Sequence, residues 1–108
     1  MNVEPNNTPS TAFESIIGDI RAERARQDAK YGEQDHPNGT SPQFKGLADN
    51  ARNATRKAIN ESRVTWFHIG KEEFWQAMAE SDRAALRARL VKLVAVGVAW
   101  IEAIDRNP

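Results

Sequence analysis

Apolar residues recur along this chain at three- and four-residue intervals, and no stretch alternates for long enough to make a strand. Phe13, Ile16, Ile17 and Ile20 predict a first helix that buries one stripe. Ser10 or Thr11 stands where a cap is wanted, and Glu14 falls in the first turn, where the helix dipole favours an acid. Over residues 21–30 the same helix turns almost wholly polar, so that half either projects into solvent or lines a wet site. Gly32 ends it. Across residues 33–45, Pro37, Gly39 and Pro42 among polar neighbours predict an ordered loop. A second helix is expected over about residues 46–62, with Leu47, Ala51, Ala54, Ala58 and Ile59 as a thin apolar side. Thr65 is the expected cap of a third helix, heavily loaded with Trp66, Phe67, Ile69, Phe74, Trp75 and Met78. Ser81 or Asp82 caps the last helix, in which Leu86, Leu90, Leu93, Val94, Gly97, Ile101 and Ile104 keep helical spacing. Within residues 91–100 only Lys92 and Gly97 interrupt the apolar side chains, so this helix is central or lies at a subunit interface, with Gly97 permitting close approach. The expected fold is all-α: a bundle of about four helices over residues 11–106, behind a disordered tail over residues 1–10.

Length and charge narrow the function classes. A chain of 108 residues fits one domain. Fifteen basic and fifteen acidic residues balance to zero, which argues against DNA or RNA as the main partner while leaving room for a local basic pocket. There is no cysteine, so neither a disulfide nor a cysteine metal site enters, and a reducing compartment is compatible. Residues 1–10 lack both a basic start and an apolar run, unlike a signal peptide. The longest apolar stretch is far short of the roughly 20 residues of a membrane span. The expectation is a soluble cytoplasmic protein with no membrane partner. Sequons at Asn6, Asn38, Asn53 and Asn60 then read as chance matches to a loose pattern.

The candidate chemistry gathers on the third and fourth helices. Glu73, Gln76 and Glu80 share one helical face, with Glu72 beside them. Carboxylates one turn apart suit Mg²⁺, which takes hard oxygen ligands partly shared with a substrate's phosphates. The facing helix carries Arg89 and Lys92 one turn apart, where a metal site would want acids.

Residues 23–39, running from Glu23-Arg24 through Tyr31-Gly32 and Asp35-His36-Pro37 to Gly39, resemble the opening of short, often phage-encoded MazG-like proteins. So do Val64-Thr65-Trp66, the Glu72-Glu73 pair and the run over residues 90–105, and together these blocks cover about residues 12–106. The resemblance implies an all-α fold that assembles as dimers or tetramers. It also implies hydrolysis of nucleoside triphosphates to monophosphate and pyrophosphate, with Mg²⁺ held by an E-x-x-E motif and a later E-x-x-D motif. Carried over, the first motif falls on Glu73 and Gln76 and the second on Arg89 and Lys92, so only its first glutamate is kept. Tyr31 stands where the family tends to have tryptophan.

A cation in place of a ligand does more than remove a bond. At about 4 Å and an effective dielectric near 20, each unit pair costs roughly 4 kcal/mol, doubled toward a divalent ion. Two such cations would abolish a metal site, yet Arg and Lys hold phosphate without metal. The expectation is a nucleotide-binding protein, catalytically impaired and needing no cofactor. Its ligand-binding residues are expected to be Glu72, Glu73, Gln76, Arg89 and Lys92, with Arg24, Lys30, His36 and Trp66. In a phage setting, acting in the host cytoplasm, it would sequester a nucleotide-derived immune signal. Two alternatives stand beside this. One is an active Mg²⁺-dependent pyrophosphohydrolase with a shifted site of Glu72, Glu73 and Glu80, aided by Asp82 or Asp28. The other is a helical interaction module, marked by an exposed apolar patch on the last helix and no basic pocket. The same residues also have structural readings. Glu73, Glu80, Arg89 and Lys92 make plausible interhelix ion pairs, Arg21, Arg24, Arg26 and Lys30 a solvated face, and Trp66, Trp75 and Trp100 core or interface aromatics.

Overall fold

The computed structural model describes residues 9–108, all helix and connection. In chain order it has α1 (Pro9–Tyr31), a 3₁₀ turn (Pro42–Phe44), α2 (Lys45–Asn60), α3 (Trp66–Met78) and α4 (Arg83–Arg106). Four α-helices agree with the all-α expectation. Among the described residues no helix is long and apolar enough to cross a membrane. The chain divides into two compact units, one of residues through Pro37 with Ile101–Pro108, the other Asn38–Trp100.

In the first unit, α1 begins at Pro9, so Ser10 and Thr11 lie inside the helix rather than at its cap, and residues 9 and 10 of the expected tail are helical. Proline suits a first helical turn because its missing N–H has no partner there anyway. Residues 1–8 of that expected tail lie outside the described residues. Ile16 is 2% exposed, whereas Phe13 is 42% exposed, so the buried stripe is narrower than its spacing promised. The polar half is a solvated face: Arg24 pairs with Asp28 at 2.9 Å and bonds Gln27, and Arg26 pairs with Glu23. Hydrogen bonds from Arg26 and then Gln27 hold the Glu23 carboxyl below its usual range. Gly32 closes the helix in the left-handed region (φ 67°), its N–H reaching Asp28 O at 2.8 Å.

In the second unit, α2 and α3 form the tightly packed pair. Their interface is made of small side chains: Ala48, Ala51, Thr55 and Ala58 on α2 against Ala77 and Gln76 on α3, all buried. The expected apolar side of α2 is therefore rotated by about one residue. Leu47 is 45% and Ile59 54% exposed, and Ala54 is exposed, while Ala48 and Thr55 take the inner positions. Small residues win because they let two backbones approach closely. The Thr55 hydroxyl fills the remaining gap, shared between Ala51 O at 3.0 Å and His68 O at 3.1 Å.

Three caps fix the ends. Thr65 accepts from the His68 N–H, while its own N–H donates to His68 Nδ1 at 3.1 Å, a capping box with histidine in the usual acidic place. Asp82 Oδ2 accepts from Ala85 N–H at 2.9 Å and caps α4. Ser41 caps the 3₁₀ turn and ties it to the end of α3 through its N–H to Met78 O at 2.9 Å. Gly97 has nothing within 4 Å of where a Cβ would stand, so the close approach expected there does not occur; Trp100 instead lies 3.9 Å from that point on Gly70.

Candidate functional site

The motif residues of α3 meet charged side chains from α2 that the sequence reading passed over. Gln76 is buried and doubly engaged. Its Nε2 donates to Ala48 O at 3.1 Å, and its Oε1 accepts from Arg52 Nη2 at 3.0 Å. Arg52 also reaches Asp49 at 3.6 Å, and Asp49 holds Lys45 at 2.9 Å. Just beyond the end of α3, Glu80 faces Arg89 of α4 at 3.6 Å. These side chains, with Pro42, Ala48 and Ala79, line a shallow pocket of about 230 Å³.

Three cations, Lys45, Arg52 and Arg89, stand against two carboxylates, Asp49 and Glu80, in that wall. The excess is positive. The engagement is also uneven. Lys45–Asp49 is a full charge-assisted hydrogen bond, whereas the 3.6 Å Arg89–Glu80 pair is longer than the 2.7–2.9 Å such bonds prefer. Arg89 therefore retains donors for an incoming anion. Partly exposed pairs of this kind contribute about 0–1 kcal/mol, so a phosphate can displace them at small cost.

The other expected site residues divide. Glu72 is half-buried and outside the pocket wall, and Lys92 is exposed and likewise outside it. Trp66 stacks on Trp100, with ring centroids 6.1 Å apart and planes at 11°, which occupies one of its faces. Arg24, Lys30 and His36 belong to the first unit. There Arg24 is paired as described, the Lys30 ammonium sits 5.2 Å from the Tyr31 ring, and His36 contacts Gln34 at 3.2 Å.

The resemblance implies Mg²⁺, and one atom bears on that. Glu73 Oε1 is buried with no hydrogen-bond partner among the described residues, which is costly for a carboxylate. Yet no group of three or more His, Asp or Glu side chains converges among the described residues. Glu72, Glu73 and Glu80 are not gathered into the shifted metal set. Glu73, with its unpartnered oxygen, is the one carboxylate of the implied Mg²⁺ motif that this chain keeps.

Sequence reasoning missed Lys45, Asp49 and Arg52. Their spacing of four and three residues puts them on one face of α2, the signal that could have found them. Comparison with protein-family models, with curated proteins and with solved structures finds no match to this chain.

Proposed function

We propose that this chain binds the phosphate portion of a nucleotide or nucleotide-derived molecule in the Lys45–Arg52–Arg89 pocket, on a MazG-like scaffold, without efficient cleavage. The observation that carries the reading is the cation excess at the E-x-x-E position. Gln76 replaces a carboxylate there, turns its carbonyl to Arg52, and leaves Arg89 weakly engaged. Arginine forks recognise phosphate oxygens without a metal. A protein that holds such a ligand without turning it over acts as a sink, the behaviour suited to a phage protein removing a nucleotide-derived immune signal in its host's cytoplasm.

Calorimetry with ATP, dATP and ADP-ribose in EDTA tests this. Saturable heat for at least one of them is expected. Arg89→Glu should weaken that binding about tenfold or more, since it reverses a contacting charge. Arg87→Glu, outside the pocket wall, should leave it nearly unchanged. Uniformly absent heat, or equal losses at Arg87 and Arg89, ends the proposal.

The unpartnered Glu73 oxygen favours a second reading, a residual pyrophosphohydrolase. Pyrophosphate released from deoxynucleoside triphosphates with Mg²⁺, and lost in Glu73→Ala, would establish it in place of the first. The interaction-module reading asks for exposed apolar residues on α4 and no basic pocket. Leu90, Val91 and Val94 are exposed, but the pocket carries excess cations, so the module reading ranks third. The exposed α4 residues support assembly into a dimer or tetramer, and sedimentation of the full chain across a concentration series checks it.

A further inference from the structure

A second recess opens along a different stripe of the same two helices, outside the cationic pocket. Leu47, Asn50 and Ala54 of α2 form one wall, and Phe67, Lys71 and Trp75 of α3 the other, around about 420 Å³. That volume falls in the range of small-molecule sites, which combine apolar walls with a few polar groups. Alanines at 51 and 54 leave the trough, and rings fix its edge. Trp75 is held between Phe44, at 5.7 Å, and Phe74, at 5.2 Å. Phe67 remains 65% exposed.

None of the polar groups of this groove carries a negative charge. Lys71 is its only ionic lining residue, stands 5.5 Å from the Phe67 ring centroid, and makes no ion pair among the described residues. The Asn50 amide has no side-chain partner among them either. His68 accepts the Thr65 N–H at Nδ1, which leaves Nε2 as its donor, with no partner among the described residues. Available donors, an unpaired cation and no lining carboxylate set the charge of the occupant. The Trp75 ring on the α3 wall, facing small and apolar α2 residues, sets its shape.

We propose that this groove binds a planar aromatic anion of one or two rings, its ring against Trp75 and its acidic group toward Lys71 one turn away on α3. Stacking on the Trp75 ring supplies the area, and the ammonium selects an anion over a neutral ring of the same shape. The site is separate from the phosphate pocket and stands whether or not nucleotides bind there.

The test is a titration of the ¹⁵N-labelled full chain with 1-naphthalenesulfonate, followed by amide shifts, with 1-naphthalenemethanol as the neutral counterpart. Saturable shifts are expected at Leu47, Asn50, Lys71 and Trp75, with none at Lys45, Arg52 or Arg89. Lys71→Met should weaken the sulfonate about fivefold, the size of one lost ion contact, and leave the alcohol unaffected. Asn50→Ala, a change at an exposed helix position, serves as a second probe and should also weaken it. Shifts centred on Arg89, equal binding of acid and alcohol, or sulfonate affinity unchanged in both variants would overturn the proposal. So would groove shifts that follow protein concentration alone, because a second copy would then be covering the groove.

Discussion

The two recesses of the α2/α3 pair share their helices and differ in what their polar groups do. In the pocket beside Gln76, Lys45, Asp49, Arg52 and Gln76 form one linked set and Glu80 and Arg89 a second, looser pair, so a ligand must compete with contacts already made. In the groove beside Trp75, Lys71, Asn50 and His68 Nε2 have no such partners among the described residues, and apolar rings supply the walls. A charged pocket whose groups partly satisfy one another is stable when empty, and its residual cation excess discriminates by charge. A groove with free donors and exposed rings instead gains most from being filled. The shared feature is the close helix approach through Ala48, Ala51, Ala58 and Ala77, which holds both recesses in shape.

The largest effect should come from forcing that approach apart. Ala77 is fully buried, and Ala77→Leu inserts a branched side chain where two backbones meet. A loss of about 3 kcal/mol is expected from urea unfolding, with both recesses impaired. An unchanged unfolding midpoint would mean the pair is not the common support. Gln76→Ala separates the two sides. It removes the bond to Ala48 O and leaves Arg52 without its amide partner, for about 2 kcal/mol. ATP binding should fall while naphthalenesulfonate affinity stays within about twofold, since Gln76 does not line the groove. Equal loss at both would show the recesses are one coupled unit.

These contrasts also explain what could be read from sequence. Helix ends were readable because capping is local chemistry. Thr65, Asp82 and Gly32 each make the bond their residue type favours. The inner side of α2 was misplaced by a residue because Leu47 and Ile59 outweigh Ala48 and Thr55 on any hydrophobic count, whereas packing rewarded the smaller pair. The α3 and α4 part of the candidate site came from a motif resemblance. The α2 part did not, because Lys45, Asp49 and Arg52 at helical spacing look like any solvated face until α3 places Gln76 against them. Trp66 is among the ligand-binding residues the sequence suggests, yet it stacks on Trp100, while Trp75 lines the groove, a difference set by tertiary neighbours alone.

Thr65→Ala sharpens the groove side at lower cost. It deletes the side-chain cap on the His68 N–H and the hydroxyl contact to His68 Nδ1 at 2.8 Å, while the residue 65 backbone N–H still donates to Nδ1. About 1 kcal/mol of stability should be lost in thermal or urea unfolding. Naphthalenesulfonate binding should weaken slightly, because the ring loses one of its two Nδ1 contacts and turns more freely about the other. ATP binding should not move. An intact sulfonate affinity would remove His68 from the groove's donors while leaving Lys71 and Asn50.

The smallest change is a control that touches neither recess. α2 ends with Ser62 in the left-handed region (φ 56°), its N–H bonding Ile59 O at 3.0 Å and the Arg63 N–H bonding Ala58 O at 2.8 Å. That is the bonding of a Schellman end, where glycine is the usual residue because a Cβ is strained at this φ. The corresponding position after α1 has Gly32. Ser62→Gly relieves the strain and gives back part of the gain through the greater freedom of glycine in the unfolded chain. The balance should be a stabilisation of about 0.5 kcal/mol, read as a small rise in the urea midpoint at unchanged slope. Both ligand affinities should be the same as in the unaltered chain. If either shifted, the far end of α2 would be moving the recess walls, and the contrast between the two sides would belong to the helix as a whole rather than to its stripes.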